Sequence, residues 1–100
     1  MTNIIELIKN NDLELFELIK NNDLEGVIKA IENGAKVDLQ NRHWGKTALH
    51  YAVEKGNLKI IKYLVEKGAD ANLQNEGGRT ALHYAKQKGN QEIIDLLTKN

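Results

Sequence analysis

The chain repeats itself after 33 residues, and that period restricts its fold more than any other feature. TALHYAVEKGNLKIIKYL starts at Thr47 and TALHYAKQKGNQEIIDLL starts at Thr80. The shift carries Thr47 onto Thr80, His50 onto His83, Gly56 onto Gly89 and Leu64 onto Leu97. GAKVDLQN (34–41) matches GADANLQN (68–75) after 34 residues, and the extra residue falls in the connector, where NRHWGKT (41–47) stands against NEGGRT (75–80). A period of this length marks copies of one supersecondary unit, each resting on its neighbours.

Each unit has readable local physics. Thr47 and Thr80 are placed to cap helices, their hydroxyls reaching the backbone N–H of His50 and His83. A short helix over Ala48–Lys55 follows, ended by Gly56, which tolerates the left-handed backbone of a helix terminus. A second helix is expected over Leu58–Lys67, with Leu58, Ile61, Leu64 and Val65 at helical spacing, and Gly68 ends it. An extended, turn-rich connector runs on from there. Two short helices with one narrow apolar face cannot bury a core alone, so the units must stack.

TALHYA, the 33-residue period, the Gly-Asn between the helices and Gly-Ala-Asp-x-Asn after the second together resemble the ankyrin repeat family. Both units carry Ala (Ala48, Ala81) at the first helical position, where that family usually has Pro, and Ala is an excellent helix former there. The same frame extends backwards. Asn22-Asp23 falls where Gly56-Asn57 lies, and Gly34-Ala35 falls on Gly68-Ala69, so LELFELIK (13–20) and LEGVIKAIEN (24–33) stand as the first and second helices of a further unit. That unit lacks the TALH signature, as suits an N-terminal cap, while Lys86, Gln87, Gln91, Asp95 and Lys99 suit an exposed closing face. The expected fold is all-α: a short ankyrin-like solenoid of about three stacked helix-turn-helix repeats joined by hairpin connectors. The repeat domain is expected over 12–100, with repeats at about 12–41, 42–75 and 76–100.

A second, shorter duplication has no place in this frame. ELIKNNDLE occurs at 6–14 and again at 17–25. The frame gives the later copy a role: Glu17–Lys20 ends a first helix, Asn21-Asn22-Asp23 turns, and Leu24-Glu25 starts the second. Residues 1–11 are then a duplicated N-terminal extension with helical character. Eleven residues make almost three helical turns, so the two copies differ by only ~20° in facing. The extension either continues the first helix through Asn10-Asn11-Asp12 or breaks there, since Asn and Asp favour caps and turns.

Composition excludes several functions. Lys+Arg and Asp+Glu both number 14, so the net charge is zero, which argues against nucleic acid or an anionic membrane as the main partner. No apolar run approaches the roughly 20 residues of a membrane span. Cysteine is absent, so neither disulfides nor thiolate chemistry are available, and a reducing cytoplasmic or other intracellular setting is expected.

Three motifs invite chemistry that the repeat explains more simply. Gly45-Lys46-Thr47 lacks the glycine that a phosphate loop needs five residues earlier, where Gln40 stands. His43, His50 and His83 have no partner ligands at metal-binding spacing, and His50 and His83 hold one repeat position, where the resemblance implies internal hydrogen bonds. Ile60, Ile61, Leu64 and Val65, like Ile93, Ile94, Leu96 and Leu97, are read as packing between repeats. No cofactor and no enzymatic activity are expected.

The resemblance implies that a protein partner is gripped by connector tips and by the exposed concave side of the first helices. The matching positions are Arg42, His43, Trp44 and Lys46 in one connector, Glu76 and Arg79 in the next, Glu54 and Lys55 on one first helix, and Gln87 and Lys88 on the other. Trp44 is the only tryptophan, and the repeat pattern does not require it. Its two readings are a binding anchor, since Trp and Arg are enriched at interface hot spots, and a cover over the neighbouring tip. Two functions follow: a non-catalytic protein-interaction module, or a duplicated chain, natural or by insertion, whose N-terminal copy drives self-association or an alternative helix register.

Overall fold

A computed structural model describes residues 14–42 and 44–99. The extension at 1–11 and most of the first ELIKNNDLE copy lie outside the described residues, as does His43. Among the described residues there are six helices and no strand. Residues 14–20 form α1, followed by α2 (Leu24–Glu32), α3 (Ala48–Lys55), α4 (Leu58–Glu66), α5 (Ala81–Lys88) and α6 (Gln91–Thr98).

The helix starts follow the capping chemistry of the sequence. Thr47 and Thr80 accept from the N–H of His50 and His83, while Asp23, Asn57 and Asn90 cap the second helices in the same way. α3 and α5 end at Gly56 and Gly89, with φ of 71° and 69°, where a Cβ would be strained. Asn22 takes the equivalent place in the first repeat at φ 57°, the one non-glycine residue with positive φ among those described. Asn tolerates this conformation better than most residues, so the second NND turns as the repeat frame requires. The second helices stop one residue earlier than expected: Asn33 and Lys67 lie at the C-caps, giving their N–H groups to carbonyls of the last turn.

Stacking then supplies the core. α3 packs on α4 and α5 on α6 within repeats, whereas α3 meets α5, α4 meets α6 and α2 meets α4 between them. Ala48, Ala52, Ala81 and Ala85 are buried along the first helices, and these small side chains permit close approach of α3 and α5. The bulk comes from the second helices: Val27, Ile60, Ile61, Leu64 and Ile93 are fully buried, and Val65, Ile94 and Leu96 pack around them. Leu15 and Ile19 of α1 join the same cluster. The apolar rows are therefore inter-repeat packing surfaces, not a membrane face. No described helix is long and apolar enough to cross a membrane.

Candidate partner-binding surface

One side chain builds each connector tip. Asn41 Oδ1 accepts from the N–H of Trp44 and of Lys46, both at 3.1 Å, and its amide donates to the Tyr51 hydroxyl. Asn75 does the same one repeat later, accepting from Gly77 (2.9 Å) and Arg79 (3.0 Å) and donating to the Tyr84 hydroxyl at 2.7 Å. Backbone bonds from Asn41 N–H to Lys46 O and from Asn75 N–H to Arg79 O close the two hairpins. An Asn side chain that mimics the backbone in this way fixes a turn without a regular strand pair.

Successive tips are tied together as well. Glu76 N–H donates to Trp44 O at 2.8 Å, Gln40 Nε2 donates to both Gly45 O and Gln74 O, and Asp70 N–H donates to Asp38 Oδ1. His50 supplies the deepest tie. Its Nδ1 accepts from Thr47 N–H at 3.0 Å, leaving Nε2 to carry the proton and donate to Arg79 O at 2.9 Å. Burial holds the imidazole pKa below its usual value, and the bond to the Arg79 carbonyl opposes that only in part, so the ring is neutral at pH 7.

The nominated residues fall into two groups. Trp44, Lys46 and Arg79 meet around an open recess of about 340 Å³ that Asn75, Gly77 and Tyr84 complete, and Glu76 sits beside it through its bond to Trp44. Lys46 crosses from the tip to Glu54 on α3, Nζ to Oε1 2.9 Å, and lies over the rings of Tyr51 and Tyr84 at 5.3 and 6.0 Å. The Glu54 hydrogen bond raises the Lys46 pKa above its usual value. Lys88 of α5 reaches back to Glu54 O, so Trp44, Lys46, Glu54 and Lys88 form one continuous band across two repeats. Arg42, Lys55 and Gln87 are exposed but bonded to none of the others.

Trp44 is the sole large apolar side chain left exposed among the described residues, at 62%. It is one of the residues that line the recess. Tyr51 and Tyr84, which the sequence did not single out, form the floor beneath Lys46. The twice-repeated LQN (39–41 and 73–75), whose Asn is followed by Tyr after ten residues in one repeat (Asn41, Tyr51) and nine in the next (Asn75, Tyr84), carried that signal.

Gly45-Lys46-Thr47 serves the tip and the α3 cap: Gly45 has φ 65°, and the Thr47 hydroxyl is engaged with His50. His50 is buried among fixed partners, whereas His83, its twin in the next repeat, is exposed. The difference corrects the expectation that both histidines make internal ring bonds. Residue 79 supplies a carbonyl over His50, and no described residue does so for His83. Among the described residues no cluster of His, Asp or Glu is arranged to hold a metal ion.

A family model described as "Ankyrin repeats (3 copies)" matches residues 6–100, beginning inside the segment set apart above as an extension. The chain is 44% identical over 46 residues to acyl-CoA-binding domain-containing protein 2 of Arabidopsis thaliana, covering 46% of this chain and 13% of that protein. It is 54% identical over 39 residues to putative ankyrin repeat protein FPV022 of fowlpox virus, covering 39% of this chain and 7% of that one. It is 46% identical over 48 residues to protein lin-12 of Caenorhabditis elegans, covering 40% and 3%. The chain thus spans a small part of each of these relatives. Repeats of this kind are generally protein–protein interaction modules and typically non-catalytic, and with three of them over nearly its whole length this chain belongs to the ankyrin repeat family.

Proposed function

We propose that the chain is a non-catalytic interaction module that holds a protein partner against its connector tips and first helices, in a reducing intracellular compartment. Trp44 carries this reading. Its backbone is pinned on both sides, by Asn41 Oδ1 and by Glu76 N–H, yet its indole is 62% exposed. A large aromatic held rigidly in solvent loses little entropy on binding and buries much area, which is the character of a hot spot. A standard interface takes ~800 Å² from each partner, so a chain of this size must engage most of the band from Arg42 to Lys88. Parallel pull-downs with the wild type and Trp44→Ala identify face-dependent partners. The triple variant Arg42→Ala, Trp44→Ala, Arg79→Ala then loses at least ~100-fold in affinity while its unfolding temperature stays within a few degrees. Undiminished binding by a folded triple variant rejects this face.

A second reading rests on the duplicated segment. A shift of eleven residues places Ile4, Ile5, Leu7 and Ile8 on Leu15, Phe16, Leu18 and Ile19, and Leu15, Phe16 and Ile19 are buried. The first copy therefore has the apolar chemistry to compete for the seat of α1, in its own chain or in a second molecule. Light scattering over a concentration series, with the full chain and with Ile4, Ile5 and Ile8 changed to Ser, tests the association. A strict monomer in both cases removes it.

A further inference from the structure

The recess between the two connector tips has a charge character that the general binding reading does not use. Of the side chains that line the recess, Lys46 and Arg79 are cations and none is a carboxylate, while Glu76 lies beside it and Glu54 holds Lys46. The carboxylates are unequally available. Glu54 and Lys46 are committed to each other, Oε1 to Nζ at 2.9 Å, which leaves Arg79 as the uncommitted charge of the recess. The side chains of Arg42, Lys55 and Arg79 are exposed and form no hydrogen bond or ion pair with any described residue. The indole of Trp44 and the half-buried ring of Tyr84 lie beside Arg79 in the same recess.

We propose that this recess recognises an acidic, extended segment of a partner protein, with one apolar side chain against Trp44 and a carboxylate on Arg79. The inference rests on the binding face proposed above and adds the chemical class of what it binds. Arginine suits the role because its planar fork takes a carboxylate through two parallel hydrogen bonds, and Arg79 is presented from a hairpin whose backbone is already fixed by Asn75 and His50. A free guanidinium beside an exposed aromatic complements a segment in which Asp or Glu stands next to a bulky apolar residue. Glu76 at the rim and Glu54 in the band work against nucleic acid, whose phosphates run at every step and need an uninterrupted basic track.

Selection from a random dodecapeptide library displayed on phage, against the full chain, tests the proposal. Trp44, as the only tryptophan, reports occupancy of the recess directly by its emission. The expected result is enrichment of peptides with three or more Asp or Glu around one aliphatic or aromatic residue. Synthetic versions shift Trp44 emission, weaken about tenfold on Arg79→Gln, and weaken further when salt rises from 50 to 300 mM. Their Asn/Gln counterparts bind at least tenfold more weakly. Enriched peptides that are neutral or basic but depend on Trp44 overturn the acidic specificity and leave the face standing. Enriched peptides indifferent to Arg79→Gln and Trp44→Ala overturn both, as does a failure to enrich any face-dependent peptide. A dT12 oligonucleotide that shifts Trp44 emission as tightly as the acidic peptides also overturns the proposal.

Discussion

Replacing His50 by Ala should destabilise the fold far more than the same change at His83, although both occupy the fourth position of an identical TALHYA segment. His50 is fully buried, and its ring holds Thr47 N–H at 3.0 Å, the Thr47 hydroxyl at 2.8 Å and Arg79 O at 2.9 Å. Truncation leaves the Thr47 N–H and the Arg79 carbonyl short of a partner, at ~1 kcal/mol each. The vacated ring adds a cavity term of roughly 1–2 kcal/mol, so the total is about 3–4 kcal/mol. For a chain of this length that lowers the unfolding midpoint by roughly 15 °C. His83 is exposed, and its hydrogen bond, from its backbone N–H to Thr80 Oγ1, survives truncation. His83→Ala should therefore cost less than about 0.5 kcal/mol, helped by the better helix propensity of Ala. Urea and thermal melts followed by helical circular dichroism measure both. Equal losses for the two variants, or a loss under about 1 kcal/mol for His50→Ala, would refute the assignment of His50 as the buried tie between repeats.

The same residue sets a pH dependence. Its folded pKa lies below the unfolded value of 6.5, so below that pH the unfolded chain binds a proton that the folded chain resists. The His50 contribution is complete above about pH 6.5 and is lost as pH falls from there towards the lowered folded pKa. Melting temperatures between pH 7.5 and 5 should show this fall, and the His50 part of it should vanish in His50→Gln. Gly56→Ala should cost about 1 kcal/mol, because φ is 71° and no atom lies within 4 Å of the added Cβ: the loss is backbone strain alone. Gly56→Asn should recover part of it, since Asn22 already fills the equivalent place. Asn41→Ala removes two acceptances and one donation that shape the tip, and should cost about 2 kcal/mol. It should also broaden the emission of Trp44 and weaken any Trp44-dependent partner.

How much of this was legible in the sequence follows from the range of the interactions. The Thr, Asp and Asn caps act over three residues, and Gly56 and Gly89 act on their own backbone, so helix starts and ends could be placed from local chemistry. The buried rows of the second helices were legible because stacking repeats leaves one consistent face to hide. The candidate binding residues were nominated by repeat position, which located the tips but not the connections among them. Lys46 could have pointed anywhere from its hairpin. Only the stacked structure seats it on Tyr51 and Tyr84 against Glu54, with Lys88 arriving from the next repeat.

Sequence by itself determined the unit, its period, its caps and the number of times it recurs. It could not distinguish His50 from His83, which share their local sequence, because burial depends on whether a neighbouring connector lies above the ring. Nor could it settle whether Trp44 covers the adjacent tip or stands in solvent. Tertiary structure decided both. Those outcomes rest on contacts between residues about thirty apart, such as His50 with Arg79 and Trp44 with Glu76, and such contacts exist only once one repeat has stacked on the next.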